Sequence, residues 1–495
     1  MQGDLKMKKA LAVILIFSII LTLFCACKDQ SDDSREPLGV TNISSSKDET
    51  LKLAYSKADM LDPFTASMSA NIQILGLIYD GLYKLDKSYE PIPVIAKSAI
   101  VSGTALNVTL GSASFSDGSP VTADDVAYSF KKAKNSPSHS EKLSNFESAS
   151  ISASNMLVFT LKRPDPYAQA CLTFPIVKNG SEGELPLGSG RYVPQKSGES
   201  IYLVVNKEKK SFNPSIKTIM LVPVRDSSSV ESSLEIGNTG FYYNDLSSGT
   251  FSRINAKTVE MGINNLVFLG FNSKSEVFSN AALRKAVNLA VDRREIVATA
   301  FQGHAREAYS PFNPDWYQLA SKDLIVAENL QEAAKLIEES GIDIKDKEIS
   351  LLVNKENRFK LEAAQLVETC LKSLGFKVLL KNYETEYYTE AVEIGSYDIY
   401  IGEVRLSPNM DLTPLLGGGS VSYGIDETCA SCARYTQLLE GGCELMDFIN
   451  TFNDDLPFIP LCYRNAAASY TNAMQADFAC CDGDVFYDIE TWSFK

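Results

Sequence analysis

Residues 348–401 have the sequence EISLLVNKENRFKLEAAQLVETCLKSLGFKVLLKNYETEYYTEAVEIGSYDIYI, and this stretch decides the fold class. Its apolar residues form short strand-like runs, and between these runs they recur at helical spacing. The pattern predicts strands over 348–353, 376–381 and 397–401, and helices over 358–375 and 384–395. Alternation of strands and helices is typical of an α/β lobe whose sheet is parallel or mixed.

Flanking segments extend this pattern in both directions along the chain. Thr122 and Asp125 form a candidate capping arrangement for a helix over 123–134. Further strands are predicted over 51–55, 106–110, 156–161, 201–206, 216–224, 264–272 and 457–463, and further helices over 71–83, 281–290, 292–301 and 330–341. Because the chain has 495 residues, one ordinary hydrophobic core cannot contain it, and two or three lobes are expected.

The overall composition is that of a globular protein, with 45% hydrophobic and 22% charged residues. The formal net charge is −15. Such a charge repels phosphate backbones, so we expect no nucleic-acid partner.

The N-terminal segment 1–27 has the features of an export signal. Lysines precede the apolar run 10–24, which is short for a stable membrane span. Cys27 follows an alanine at the end of this segment, an arrangement that resembles a bacterial lipobox. We therefore expect lipid attachment at Cys27 and a location on the extracytoplasmic face of the cell membrane, with an uncleaved signal anchor as the alternative. Residues 28–50 are polar and are predicted to form a flexible tether.

Short motifs follow one another along the rest of the chain. They are LDPF at 61–64, LIYDGLYKLD at 77–86, EPIPV at 90–94, FSDGSPVTADDVAYSF at 115–130, GSGRY at 188–192, LRKAVNLAVDRREI at 283–296, AAKLIEESG at 333–341 and PFIPLCY at 457–463. In this order they resemble the family 5 extracellular solute-binding proteins, which bind oligopeptides, dipeptides or nickel complexes for ABC importers. The resemblance covers roughly residues 50–490.

The resemblance implies an α/β fold of the type II periplasmic-binding-protein-like class, in which two lobes close on a ligand. Lobe I would comprise 51–268 and 464–495, with an extra subdomain over 84–180. Lobe II would comprise 269–463, with hinge strands at both ends. A ligand between the lobes would stabilise the closed form through contacts that exist in no other state.

The same resemblance implies a monomeric binding protein with no enzymatic activity and no cofactor. It would capture short peptides or a peptide-like solute and deliver them to the permease and ATPase subunits of an ABC importer. Two alternatives keep the fold. One is a binder of a nickel chelate or another non-peptide solute, and the other is a ligand sensor that signals to a partner.

One departure from the family pattern bears on the ligand. Peptide binders of the family often have a Trp, then an Ala-Asp-Tyr run, then Asp-Pro, and the first Asp pairs with the amino group of the peptide. The corresponding stretch here keeps an acid at Asp411 but has Ser407 and Pro408 near the first position. Either Glu403 or Asp411 replaces the missing acid, or the ligand has no free amino group.

Six residues are candidate ligand contacts: Glu403, Arg405, Asp411, Tyr423, Asn272 and Tyr242. The first three follow strand 397–401, where α/β clefts place ligand contacts. Tyr423 ends the glycine-rich run 417–423, Asn272 ends the first hinge strand, and Tyr242 lies in an aromatic stretch. The alternative for these positions is a structural role in a loop, a connector, a strand cap or the core.

Cysteine and histidine usage limits the expected chemistry. Outside the cell, the eight cysteines after Cys27 can form disulfides. Cys429 and Cys432 have the spacing of a zinc ribbon but no second such pair follows, so we expect a local disulfide or free thiols and no metal. The only histidines are His139 and His304, which excludes a metal centre of several histidines, and no Gly-x-Ser-x-Gly or Walker motif is present.

Overall fold

The computed structural model describes residues 50–495 except 182, 184, 252, 321, 323, 346 and 418–422. The predicted signal segment with Cys27 and the tether up to residue 49 lie outside the described residues, as does the middle of the glycine-rich run 417–423.

The strands are β1 (Thr50–Ser56), β2 (Tyr83–Leu85), β3 (Pro91–Pro93), β4 (Ala96–Ser102), β5 (Ala105–Leu110), β6 (Phe146–Ala153), β7 (Met156–Leu161), β8 (Tyr192–Ser197), β9 (Ser200–Val205), β10 (Thr218–Val224), β11 (Phe241–Asn244), β12 (Lys257–Phe271), β13 (Ala305–Glu307), β14 (Glu348–Asn354), β15 (Lys377–Tyr383), β16 (Ile399–Arg405), β17 (Phe458–Tyr470), β18 (Met474–Gln475) and β19 (Ser493–Phe494). The helices are α1 (Ser69–Ile78), α2 (Ala123–Ala133), α3 (Ser227–Glu235), α4 (Ala281–Ala290), α5 (Arg293–Glu295), α6 (Leu330–Glu339), α7 (Arg358–Ser373), α8 (Thr385–Glu393), α9 (Thr413–Leu416), α10 (Ala430–Leu439) and α11 (Leu445–Asp455). A π-helical turn over Ile296–Ala300 continues α5. In the part of the chain that the structure describes, no helix combines the length and the apolar character needed to cross a bilayer.

The largest sheet confirms the α/β prediction for 348–401. It has the strand order β11-β17-β12-β16-β14-β15, with β13 paired to β17. Strand β14 pairs in parallel with β15 and β16, whereas β16 pairs antiparallel with β12. The sheet is therefore mixed, and β16 continues to Arg405, beyond the predicted end at 401.

Strands β12 and β17 form the longest pairing in this sheet. Their antiparallel register runs from Lys257 opposite Tyr470 to Gly270 opposite Phe458. The register shifts between Gly262 and Leu266 and again at Phe268, so the ladder is irregular at its centre. Both strands are longer than predicted. The added part of β17 has the sequence RNAAASY and is buried throughout, although its small and polar residues lack the apolar pattern of a buried strand.

Two smaller sheets precede the large one, with orders β1-β10-β9-β8 and β4-β5-β7-β6. Helix α2 begins with the predicted cap: Thr122 N donates to Asp125 Oδ2 at 2.8 Å, and Asp125 N donates to Thr122 Oγ1 at 3.4 Å. Asp125 also accepts a bond from Asn179 N at 2.8 Å, which ties the cap to a distant loop.

Helix α1 ends at Ile78, so the prediction of helix as far as 83 is wrong. The carbonyl oxygen of Ile78 accepts a bond from Gly190 N at 2.9 Å. A Cβ atom on Gly190 would lie 2.4 Å from that oxygen, so glycine permits this approach. The chain then turns into β2, which pairs with β3, and Arg191 is held beside the end of α1.

The buried apolar residues form separate clusters. The first cluster combines residues between 51 and 263 with residues between 466 and 492, including Trp492. A second cluster includes Phe268, Tyr400 and Phe448, and a third cluster packs α4 and α7 against the large sheet.

Candidate ligand-binding site

A cavity of about 720 Å³ opens among several elements. Its wall includes the end of α1, the loop 138–142, the residues at and after the end of β16, and the segment 482–484. Six aromatic side chains belong to the lining: Tyr79, Tyr83, Tyr89, Phe212, Tyr243 and Tyr487. This volume is within the range of pockets that enclose a small ligand.

Most of the lining cations are already neutralised or covered. Ion pairs join Lys209 with Asp80 (2.7 Å), Arg191 with Asp484 (2.8 Å) and Arg405 with Asp482 (2.5 Å). Lys84 Nζ lies 4.6 Å from the centroid of the Tyr487 ring. Lys142 differs, because its Nζ donates to Thr173 Oγ1 at 3.0 Å and pairs with no carboxylate among the described residues.

Arg405 is the predicted contact that lies in the described cavity lining. Its Nη1 donates to Asn265 Oδ1 at 3.0 Å, and its Nη2 donates to Asp482 Oδ1. The other carboxylate oxygen of Asp482 accepts from Asn264 N at 2.9 Å. The Asp482 carboxylate raises the pKa of Arg405 above its ordinary value. Arg405 therefore presents a fixed guanidinium whose charge is largely balanced.

Glu403, two residues earlier on β16, belongs to a buried polar cluster. Its Oε1 accepts from Arg464 Nε at 2.8 Å and from Asn265 Nδ2 at 2.8 Å, and Oε2 lies 3.1 Å from Lys360 Nζ. Burial favours the neutral carboxyl, but the charges of Lys360 and Arg464 outweigh it and lower the pKa of Glu403. This carboxylate is therefore fully engaged by the protein.

Asp411 lies outside the described lining of the cavity, in a separate polar contact. Its carboxylate pairs with Arg163, which follows β7, and accepts from Tyr435 Oη at 2.9 Å and Thr413 Oγ1 at 2.5 Å. These bonds tie the segment after β16 to the segment after β7. The structure thus places Asp411 in a tertiary contact.

Asn272 and Tyr423 also lie outside the described lining. Asn272 Nδ2 donates to the carbonyl oxygens of Gly395 at 3.1 Å and Tyr397 at 3.0 Å. The carbonyl oxygen of Tyr423 accepts from Tyr400 Oη at 3.0 Å, and the Tyr423 ring packs against the second cluster. Both residues hold the chain around the large sheet.

Tyr242 and Tyr243 show how strand alternation selects a cavity residue. Both lie on β11, which pairs with β17, so their side chains point to opposite faces. Tyr243 belongs to the cavity lining, whereas Tyr242 is half-buried elsewhere, where burial raises its pKa to about 12. The predicted aromatic stretch therefore reaches the cavity through Tyr243.

Histidine and cysteine side chains are dispersed. His139 lines the cavity, its Nε2 donates to Pro63 O at 3.0 Å, and burial lowers its pKa to about 3, so it is neutral. His304 Nδ1 lies 2.7 Å from Glu260 Oε1. All eight described cysteines are free thiols, with Cys429 Sγ and Cys432 Sγ 3.0 Å apart. Within the described residues, no group of three or more His, Cys, Asp or Glu can hold a metal ion.

A family model for bacterial extracellular solute-binding proteins, family 5 (middle region), matches residues 90–419. The match takes in the loop 138–142, Arg405 and the whole strand–helix stretch 348–401. The chain belongs to this family. Its members are transport binding proteins, not enzymes, and their location is extracytoplasmic.

This family 5 solute-binding protein resembles relatives over most of its length. It is 23% identical over 464 residues to the oligopeptide-binding protein AppA of Bacillus subtilis, covering 84% of this chain and 81% of that protein. Among solved structures, the unliganded open form of the periplasmic murein tripeptide-binding protein MppA superposes with a TM-score of 0.75 at 17% identity, over 90% of this chain and 98% of that one. A nickel ABC transporter protein from Bacillus halodurans superposes with a TM-score of 0.72 at 17% identity, over 88% and 98%. The structures establish the type II periplasmic-binding-protein fold.

Most of the cavity lining of this family 5 protein was not selected from the sequence, and this includes Asp482, Lys142 and Tyr243. Asp482 follows β18, and only long-range packing brings it beside β16. Lys142 ends a polar loop, where a lysine is ordinary. Tyr243 is adjacent to the selected Tyr242, but the sequence alone does not show which of two neighbouring strand residues faces the cavity.

Proposed function

We propose that this protein captures a short peptide or a peptide-like solute and delivers it to the permease and ATPase subunits of an ABC importer. The observation that carries the proposal is the cavity of about 720 Å³, lined by tyrosines and by fixed charges, in a chain of this family. Aromatic rings suit the apolar parts of a peptide, and ion-paired side chains suit its polar backbone.

The proposed capture uses two lobes, 51–268 with 464–495 and 269–463, with an extra subdomain over 84–180. Support comes from the hydrophobic clusters, because the first draws on residues on either side of the proposed second lobe. Strands β12 and β17 join the two parts, and their register shifts lie near the proposed hinge. Such irregular pairing is a suitable place for hinge closure around a ligand.

Among the predicted contacts, we propose Arg405 as the one that reaches the solute. It lies in the lining and its guanidinium is held in place by Asn265 and Asp482. The bonds of Glu403, Asp411 and Asn272 favour a structural role for those residues. Neither Glu403 nor Asp411 therefore has a carboxylate free for a peptide amino group.

Native mass spectrometry of the mature protein, purified without unfolding, tests the proposed ligand. We expect masses of short peptides in complex with the protein, because solute-binding clefts close over their ligands. Consistent recovery of an amine-free solute or of a metal chelate would contradict the peptide assignment and favour the nickel-chelate alternative. A thermal-shift screen checks each candidate, since a ligand at ~100 times its dissociation constant stabilises the folded state by roughly 2.7 kcal/mol.

We also propose that Cys27 carries the lipid anchor. Cys27→Ala should move the protein from the membrane fraction to the soluble extracytoplasmic fraction without changing the thermal stability of the body. Cys443→Ala is the matched control, because Cys443 is a free thiol distant in sequence from the signal segment. Equal membrane retention of both variants would favour the uncleaved signal anchor instead.

A further inference from the structure

Lys142 differs from the other lining cations in its surroundings. It lies at the end of the loop 138–142, half-buried, and its Nζ donates to Thr173 Oγ1 at 3.0 Å. Both residues belong to the lining, so the ammonium lies at the wall of the cavity. An ammonium has three donors, and this bond uses one of them.

Among the residues that the structure describes, no carboxylate forms an ion pair with Lys142, whose Nζ bonds to Thr173. His139 beside it is neutral, because burial and the charge of Lys142 keep its pKa near 3. The Arg405 guanidinium nearby is cationic but is paired with Asp482, so it supplies no negative charge either. The Cys171 thiol stays protonated, because burial raises its pKa well above the ordinary value. The Asp482 carboxylate does not neutralise Lys142, because it accepts bonds from Arg405 and from Asn264 N.

Burial of an unpaired ammonium is unfavourable, and burial accordingly lowers the pKa of Lys142 to about 8. Groups whose pKa values are shifted by burial and nearby charge cluster at functional sites. Three of the other lining cations show the contrast, because Lys209, Arg191 and Arg405 each have a carboxylate partner within the cavity wall. The fourth, Lys84, lies over the Tyr487 ring.

We propose that Lys142 and Thr173 form a subsite for a carboxylate group of the solute, so that the bound ligand supplies the missing counter-ion. Thr173 Oγ1 accepts its bond from Lys142, which leaves the hydroxyl proton of Thr173 free to donate to a carboxylate oxygen. One ammonium and one hydroxyl match the two oxygens and the single charge of a carboxylate. The ligand is thus anchored by its acid end, in a protein whose predicted contact acids Glu403 and Asp411 are both bound by the protein itself.

This inference deepens the proposed function and rests on it for the peptide class. The test starts from the mature protein incubated with a tryptic digest, from which captured peptides are identified by native mass spectrometry. Each captured peptide is synthesised as the free acid and as the C-terminal amide, and both are titrated by calorimetry. The free acid should bind at least tenfold more tightly than the amide, as expected for a charge-assisted hydrogen bond.

The variants separate Lys142 from the general charge of the cavity. Lys142→Met should weaken binding of the free acid at least tenfold and leave binding of the amide unchanged. Lys142→Arg keeps a cation and should retain the preference for the acid. Lys84→Met is the matched control: it removes the same charge from the same cavity, but Lys84 lies over the Tyr487 ring, so the acid preference should persist.

The outcomes distinguish the two proposals. If peptides are captured but acid and amide bind equally, or Lys142→Met binds the acid as the unchanged protein does, the carboxylate subsite is overturned while the peptide function stands. If no peptide is captured, the peptide function fails, and the solute recovered from spent growth medium is compared with its methyl ester in the same variants. A recovered solute without a carboxylate, or failure to recover any carboxylate-bearing solute, overturns the subsite.

Discussion

The polar cluster at Glu403 and the cavity corner at Lys142 hold buried charge in opposite ways. At Glu403, one carboxylate faces two cations, Lys360 and Arg464, and Asn265 completes its hydrogen bonds. At Lys142, a cation faces a hydroxyl group and no carboxylate among the described residues. The first arrangement is satisfied without a ligand, so it stabilises the fold. The second arrangement lacks a counter-ion, so a ligand carboxylate can supply at Lys142 the opposite charge that Lys360 and Arg464 supply at Glu403.

The largest effect is expected from breaking the satisfied cluster. Glu403→Gln leaves Lys360 and Arg464 buried without a counter-ion and should lower the free energy of unfolding by about 3 kcal/mol or more. Urea unfolding followed by tryptophan fluorescence measures the loss. Glu393→Gln, on the exposed end of α8, should change it by less than about 0.5 kcal/mol. Equal stability of the two variants would show that the cluster contributes nothing to the fold.

Substitution of Lys142 should change the free energy of unfolding in the opposite direction. In the ligand-free protein, Lys142→Met removes an unpaired charge and should raise the free energy of unfolding at pH 7 by about 2 kcal/mol, allowing for partial exposure. The folded-state pKa is about 8 and the unfolded value 10.5, so the unfolded chain binds the proton more tightly. The destabilisation is therefore complete below pH 8 and fades as pH rises towards 10.5. Thermal unfolding of both proteins at pH 7 and pH 10 should show a difference in Tm that shrinks at the higher pH.

Ligand affinity should also depend on the protonation state of Lys142. If a carboxylate binds only protonated Lys142, the dissociation constant of a free-acid ligand should increase about tenfold from pH 7 to pH 9. His139, the Cys171 thiol and Arg405 face Lys142, and their pKa values lie well below or above this window, so they do not compete. Calorimetry on the amide form of the same ligand provides the control and should show no such rise.

The smallest effect is expected at the ion pair between Arg163 and Asp411. The Arg163 side chain is 31% exposed, and partly exposed pairs typically contribute less than about 1 kcal/mol. Arg163→Gln should therefore lower the free energy of unfolding by no more than that amount, measured by urea unfolding, because Tyr435 and Thr413 still bind the carboxylate. A loss as large as that of Glu403→Gln would place Asp411 in the same class as the buried cluster.

Local patterns were sufficient for much of the fold. The strand over 156–161 and the helix over 281–290 have the predicted bounds, because apolar spacing and clear end signals coincide there. The cap at Thr122 followed from residue types three positions apart. The end of α1 was missed, because it depends on the contact between Ile78 and the distant Gly190.

The cavity was less predictable, because its charges are decided by long-range contacts. Arg405 was selected from its place after a strand, and it does line the cavity. Its balance by Asp482, however, requires the C-terminal segment to fold back beside β16. Lys142 is important because it has no carboxylate partner among the described residues. A sequence shows which residues are present, but it does not show which of them lack a contact in the folded protein.

The first hydrophobic cluster has a consequence for the timing of folding during synthesis and export. It contains residues from Leu51 onward, yet it also needs Tyr470, Phe486 and Trp492 from the last part of the chain. A nascent chain that ends before these residues cannot complete this core, so it keeps apolar surface exposed until residues 470–492 have been synthesised. Delayed closure of this kind suits a protein of extracytoplasmic location, because the final contacts of the core form only when residues 470–492 have arrived.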